Sequence, residues 1–421
     1  MTALKLLHFA DAHIDMANYG RHDAQSGLPV RVMDFLKSLD EIIDTAIAEK
    51  VEMVLFAGDA YKDRNPAPTF QREWGRRIIR LSRAKIPTLL LVGNHDLSPS
   101  LGRAHALEEY NTLDVPYVKV LDKPEFYGPK DLWDLPFQVI SLPWIARSQM
   151  LAYGNIETTE TEEIYTHLEG LLGDLVKEFL DDKVDPNLPT VLMAHASVQG
   201  AIYGGERAVM LGNDLVLSPS LVKDKRLDYV ALGHIHKPQN LNGENPPSNN
   251  TNQPPIVYPG SIERVDFGEA RDDKFFVILE LEKGNTKIEW RRLDHIRKFI
   301  DKKVTLSSEL SVMNDLLKAI PSKTEIKDAI FRLIIDYPID LEAFIDESML
   351  RAAASEAFEF HLVKRPQIQA RVRIPEDRSV SDLSPFDLLD IYWKSAHVEE
   401  KDRNRLAKLA KEMIQEHQSE D

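Results

Sequence analysis

Five short blocks of this 421-residue chain carry side chains that bind metal ions or move protons: Asp11-Ala12-His13, Gly58-Asp59, Gly93-Asn94-His95-Asp96, His195 and Gly233-His234-Ile235-His236. Together they offer oxygen and imidazole donors, a set that suits Mn, Fe or Zn and not the metals that prefer soft thiolates. One carboxylate can bridge two ions, and two ions about 3.5–4 Å apart can hold an in-line phosphoryl displacement. A histidine that directly follows an asparagine ligand points elsewhere, so His95 beside Asn94 stays available for acid–base work. Singly, Asp-x-His and Gly-Asp are more often turns, and an isolated His195 after an apolar run is more often a buried structural histidine. Gly-Asn-His-Asp and Gly-His-x-His are rarer: their joint occurrence by chance is on the order of one in ten thousand.

Each block closes a short apolar run, at residues 4–10, 53–57, 88–92, 190–194 and 229–232. Helical spacing fills the gaps between the first three. Val32, Phe35, Leu36, Leu39, Ile42, Ile43, Ala46 and Ile47 form one apolar face, and Phe70, Trp74, Ile78 and Leu81 another. This alternation predicts an α/β fold. Further strands are expected at 137–142, 256–258 and 275–281, with an amphipathic helix through Ile164, Leu168, Leu171, Leu172, Leu175 and Phe179. In open α/β sheets, sites form beyond the carboxyl ends of the strands. If the five strands are neighbours in one sheet, the five blocks converge and five of the 13 histidines meet.

The stretch 237–255, rich in Asn and Pro, reads as a long surface loop or a disordered insert. After residue 283 the texture changes. Strands at 287–293, 302–306, 329–335 and 358–372, with helices at 312–320 and 341–354, predict a smaller α+β domain over 284–373. A charged linker and a helical tail occupy 374–421. Ser384-Pro385-Phe386-Asp387 supplies an N-cap, a proline at the first helical position and an acid at the third. The last helix repeats Leu406, Leu409, Ala410, Met413 and Ile414. The apolar faces of these two helices either fold back on the body or dock on a partner's helix.

Composition narrows the function classes. The chain has no cysteine, which excludes disulfides, thiolate-ligated metals and thiol catalysis. Its net charge of −16 (52 − 68) argues against coating nucleic acid electrostatically, but not against holding phosphodiesters through bound cations. No apolar run approaches a membrane span, and Asp11 comes too early for a signal peptide, so no membrane association and a cytoplasmic location are expected. No phosphate-binding Gly-x-x-x-x-Gly-Lys-Ser/Thr loop is present, so any ATP dependence must come from a partner.

The five blocks resemble, in order and content, the phosphoesterase motifs of the calcineurin-like metallophosphoesterases. The runs beginning His195-Ala196-Ser197, Tyr229-Val230-Ala231, Tyr258-Pro259-Gly260 and Leu383-Ser384-Pro385 narrow the resemblance to the SbcD family of double-strand-break repair nucleases, nearly end to end. The resemblance implies a four-layer sandwich with two central sheets over residues 1–283, a small α+β capping domain and a C-terminal helical tail. It implies that Asp11, His13, Asp59 and His236 hold one metal, and that Asp59, Asn94, His195 and His234 hold the other, with Asp59 bridging. His95 would be the catalytic histidine, giving a proton to the leaving 3′ oxygen or orienting the phosphate. Two divalent ions, Mn²⁺ by family habit, would activate the attacking water. The implied activities are exonuclease action on duplex DNA ends and endonuclease action on hairpins and single strands, in double-strand-break repair. The implied partners are DNA and an SbcC-type coiled-coil ATPase bound through the tail helices, with a homodimer inside a heterotetramer.

Some relatives place a second histidine three residues after the bridging aspartate, where this chain has Lys62, followed by Asp63 and Arg64. The reading here is a solvated loop lysine, with contact to a DNA phosphate as the alternative. The same segment departs from the Gly-Asp-x-Val-Asp-Arg-Gly pattern of protein phosphatases. Lys364, Arg365, Arg371 and Arg373 read equally as a phosphate-tracking stretch or as charges blunting a sheet edge. Two rival functions remain: an esterase for small phosphodiesters, and a non-catalytic adaptor, for which a broken ligand set would be the sign.

Overall fold

The computed structural model describes residues 3–97, 103–145, 161–204, 216–367, 384–395, 398 and 400–417. Two six-stranded sheets form the body of the first unit. One sheet contains β1 (Leu4–Phe9), β2 (Met53–Phe56), β3 (Thr88–Leu91) and β4 (Val118–Leu121), all parallel. The other is built around β6 (Gln138–Leu142), β7 (Thr190–His195), β10 (Tyr229–Gly233) and β12 (Ile256–Tyr258), also parallel, with β5 (Glu125–Tyr127) and β11 (Gln239–Asn240) as antiparallel edges. A two-stranded pair, β8 (Ser197–Val198) with β9 (Val216–Leu217), follows β7.

Parallel strands covered on both faces read as unbroken apolar runs, and the structure assigns the faces by alternation. Leu4, Leu6, Met53, Leu55, Leu89 and Leu91 of one sheet meet Val139, Val191, Met193, Tyr229, Ala231 and Val257 of the other in one core cluster. Leu7, Phe9, Val54, Phe56 and Leu90 face outward instead, against α1 (Val30–Ala48) and α2 (Pro68–Arg83). The residues expected on those helical faces are the ones buried there, with Ile47 and Phe70 partly covered. Leu172, Val176 and Phe179 of α3 (Thr161–Asp182) cover the outer face of the second sheet, while Leu171 is exposed. The result is helix, sheet, sheet, helix: the four layers expected.

The boundary expected at residue 283 lies near residue 300 instead. Residues 287–292 are not part of the second domain: β14 (Lys287–Arg292) extends the first sheet by antiparallel pairing with β13 (Phe275–Leu281), which in turn pairs with β1. Trp290 and Ile288 thereby enter the inter-sheet core. The 237–255 insert is an ordered loop, not a disordered one. Asn240 accepts from the Asn242 amide and donates to Thr251 Oγ1, and Asn242 donates to the Pro254 carbonyl.

The second unit holds the sheet β15 (Phe299–Thr305), β16 (Ile330–Pro338) and β17 (Glu359–Gln367), in that order, with α4 (Val312–Ala319) and α5 (Glu347–Ala353). Lys364, on edge strand β17, pairs with Glu342 and Glu347, each at 2.9 Å, which favours the blunted-edge reading for it. Arg371 and Arg373 lie outside the described residues, as does the linker at 374–382. The tail forms α6 (Pro385–Ser395) and α7 (Glu400–His417). Ser384 and Asp387 make the expected reciprocal cap: the Ser384 amide donates to Asp387 Oδ2, and the Asp387 amide donates to Ser384 Oγ.

Candidate metal centre

The five blocks do converge, but from two sheets. The ends of β1, β2 and β3 bring Asp11, His13, Asp59, Asn94 and His95; the ends of β7 and β10 bring His195, His234 and His236. Docking the two sheets this closely needs glycine. A Cβ on Gly58 would strike the His195 ring, and one on Gly233 would strike the Ala57 carbonyl. The turns that leave the strands are tight, and four candidate ligands sit at positive φ: Asp11 (50°), His13 (39°), Asp59 (64°) and His234 (100°). For non-glycine residues this is a sparsely populated region whose cost, of order 1–3 kcal/mol each, concentrates at functional sites.

Hydrogen bonding fixes which ring atoms face inward. His13 Nδ1 donates to the Tyr61 carbonyl at 3.1 Å, and His236 Nδ1 donates to Glu269 Oε1 at 2.8 Å. Their Nε2 atoms then face each other, 3.0 Å apart. His195 Nδ1 donates to the Ala57 carbonyl at 2.7 Å, which turns its Nε2 toward Asn94 Oδ1 at 3.0 Å and Asp59 Oδ2 at 3.4 Å. Asn94 Oδ1 is also 3.0 Å from His234 Nδ1. The interior of the site is therefore a set of lone pairs pointing at one another. Such an arrangement needs cations between its members, because buried acceptors without donors are costly. Two groups of potential ligand atoms meet within reach of one ion: Asp11, His13 and His236, and Asp11, Asp59 and His195.

The electrostatics agree. Burial pushes Asp11 up to about 6, against the pull of His236 and His195. Burial acts the same way on Asp59, but His195, His95 and His13 outweigh it and hold its carboxyl well below the usual range. Burial opposes charge on His195, yet Asp59 raises it to about 9. Burial keeps His13 well below the ordinary imidazole range.

Two supports lay outside the expected set. Asp96, placed in a motif by the sequence but given no role there, accepts the amides of Asp59 and Gly93 on Oδ2, both at 2.9 Å, and that of Ala60 on Oδ1 at 3.0 Å. It fixes the two turns that carry Asp59 and Asn94. Glu269 anchors His236 and is itself held by Lys274 Nζ at 2.6 Å, with Lys274 fully buried. Arg264 donates to the carbonyls of Asp272 and Arg297, which makes it a backbone brace.

His95 stands apart from the lone-pair cluster, as expected. Its amide donates to Asp59 Oδ1 at 2.8 Å, and its Nδ1 donates to the Lys62 carbonyl at 2.8 Å, leaving Nε2 facing outward.

Residues 4–238 match the family model described as calcineurin-like phosphoesterase. The chain belongs to this family. Within it, the chain is similar to the SbcD subunit of the SbcCD nuclease of Rhodobacter capsulatus, at 29% identity over 256 residues that cover 57% of this chain and 60% of that relative. Among solved structures, a dimetal phosphatase from Danio rerio (11% identity, TM-score 0.36) and a protein of Thermus thermophilus (14%, 0.38) each align over 70% of this chain and 100% of theirs. The phosphoesterase match ends at residue 238, so Glu269 and Lys274 lie beyond it.

A second histidine–carboxylate cluster, His105 with Glu108 and Asp122, is a different object. The Leu107 amide donates to His105 Nδ1, so the neutral ring carries its proton on Nε2, 2.8 Å from Glu108 Oε2 and 3.8 Å from Asp122 Oδ2. No carboxylate oxygen among the described residues takes a well-aligned hydrogen bond from Nε2, although the neighbouring His105 holds Asp122 below its usual range. No helix among the described residues is long and apolar enough to cross a membrane.

Proposed function

We propose that this phosphoesterase is a DNA nuclease subunit that hydrolyses phosphodiesters at a dinuclear centre. Asp11, His13, Asp59 and His236 would hold one ion and Asp59, Asn94, His195 and His234 the other. The observation that carries the reading is the inward-facing set of acceptors at five strand ends, with a histidine outside it. Divalent ions there, Mn²⁺ first, supply Lewis acidity toward phosphate oxygens. The chain's own residues do the rest. Asp96 and the Asp59–His95 contact keep the carboxylates in register, and the outward Nε2 of His95 meets the leaving oxygen or a phosphate oxygen.

The similarity to an SbcCD nuclease subunit supports DNA as substrate, with exonuclease action on duplex ends, endonuclease action on hairpins and a role in double-strand-break repair. The same similarity supports an SbcC-type coiled-coil ATPase as partner, in a heterotetramer around a homodimer, in the cytoplasm. Exposed Tyr392, Leu406 and Leu409 on the tail helices support docking on a partner helix. The second unit would act as the capping domain.

The test is digestion of end-labelled linear duplex and hairpin DNA with Mn²⁺, with EDTA and with the His95→Ala protein. Cleavage that needs the metal and falls at least a hundredfold in the variant is the expected result. Failure to cut any DNA with metal and partner present, alongside hydrolysis of a small chromogenic diester, would move the small-diester reading first.

A further inference from the structure

Lys62 is exposed on its loop, as expected of a solvated lysine, but it is held in place. Its carbonyl accepts from His95 Nδ1 at 2.8 Å, and its ammonium nitrogen lies 3.4 Å from His95 Nε2, so one residue grips the ring at both nitrogens. The loop that carries it is itself fixed. The amides of Lys62 and Asp63 both donate to the Asp15 carboxylate, and the Asn65 amide donates to Asp63 Oδ1. Beside the Lys62–His95 pair opens a cavity of about 750 Å³, lined among others by Asp15, Lys62, Arg64, Asn65, Phe70 and His95. Its two carboxylates, Asp15 and Asp63, are spent on backbone amides. Its two cations, Lys62 and Arg64, have no ion-pair partner among the described residues. The carboxylates keep their charge and the lining sums to zero, but the N–H donors of Lys62 and Arg64 stand free of any such ion pair next to the group that faces the leaving oxygen.

We infer that Lys62 and this cavity form a subsite for a second phosphate, the one that flanks the scissile phosphodiester on the His95 side. The inference rests on the phosphodiester reading and names its substrate class: a chain of nucleotides carrying an anion beyond the bond that is cut. Lys62 contributes a point charge that holds this phosphate, and Arg64 a second donor within the same loop; such contacts set position and register, not sequence. Phe70 offers an apolar wall for the attached sugar or base. A small diester has no group to place there, so the subsite separates polymeric substrates from small ones.

The experiment measures KM and kcat for a short thymidine oligonucleotide and for bis(p-nitrophenyl) phosphate with the Mn²⁺-loaded wild type, Lys62→Met, Lys62→Arg and Arg64→Met. The expected result is a KM for the oligonucleotide raised about tenfold or more by Lys62→Met, at least five times the change for the chromogenic diester. Lys62→Arg should recover most of that loss, and Arg64→Met should show a smaller shift of the same kind. An equal loss on both substrates would mean that Lys62 acts only through His95, and would overturn the subsite; no loss on either would overturn it as well. If the wild type cuts only the chromogenic diester, the nuclease reading falls separately. The subsite is then judged by competitive inhibition with thymidine monophosphate and with inorganic phosphate. A nucleotide that binds at least tenfold more weakly to Lys62→Met supports it, inorganic phosphate behaving alike identifies a bare phosphate site, and unchanged inhibition by both overturns it.

Discussion

Glu269 determines how well His236 can serve as a ligand. Its Oε1 fixes the Nδ1 tautomer of His236, and its Oε2 takes Lys274 Nζ, Ser261 Oγ and the Val265 amide at 2.6, 3.2 and 3.0 Å. Burial opposes its charge, but Lys274 and His236 outweigh that and hold it well below the usual carboxylate range. A carboxylate that orients a ligating imidazole also raises its basicity, and losing one typically costs 10–100-fold in metal affinity. Glu269→Gln should therefore weaken Mn²⁺ binding by about that factor, as read by chelator competition on protein whose circular dichroism matches wild type. Unchanged affinity would reduce Glu269 to a packing role. The convergence of the seven expected ligands and His95 was legible because each closes an apolar run in a recognisable block. Glu269 and Lys274 were not, since they lie 33 and 38 residues beyond His236 in no motif, and only the folded chain brings them to it. Lys62 is exposed as expected, but nothing in the sequence places its ammonium against a ring 33 residues away.

At the level of the elements, the apolar runs told where strands lie but not which sheet each joins. A strand buried on both faces has no polar side to mark its outside. That ambiguity hid the two-sheet origin of the site, whereas the edge strand β14, which alternates exposed and buried residues, simply carries no mark of the domain it joins. One strand carries a testable consequence. His8 sits on the inner face of β1, fully buried, with Nδ1 2.9 Å from the Tyr229 hydroxyl of β10 and no hydrogen-bond partner at Nε2 among the described residues. Burial lowers it to about 3. The unfolded chain takes up this proton near pH 6.5, whereas the folded chain resists it until about pH 3. Acid therefore favours unfolding between those values, by about 1.4 kcal/mol per pH unit, and the contribution is fully present above the upper one. Denaturant titrations at pH 6.5 and 5.0 should show wild type losing about 2 kcal/mol more than His8→Phe over that interval. Equal losses would mean that His8 does not carry the acid sensitivity of the inter-sheet contact.

For the molecule as a whole, the proposed ions would do more than chemistry, because their ligands come from both sheets. An ion held by Asp11, His13 and His236, or by Asp59, Asn94, His195 and His234, ties the carboxyl ends of β1, β2 and β3 to those of β7 and β10. Anything that binds the folded state alone stabilises it, by about 2.7 kcal/mol at a free concentration one hundred times Kd. The stabilisation should be local. Every proposed ligand lies in the first unit, and the second unit, residues 301–327 with 331–421, contributes none. Hydrogen exchange followed by mass spectrometry should therefore show β1, β2, β3, β7 and β10 exchanging faster once EDTA strips the ions, while β15, β16 and β17 keep their rates. Opening of core strands reports the stability of the cooperative unit they belong to. A matching acceleration in β16 would mean that the two units unfold as one, so that occupancy of the metal centre governs the stability of the second unit as well. No acceleration in either sheet would mean that the ions do not bridge them, and would count against the shared ligand sets themselves.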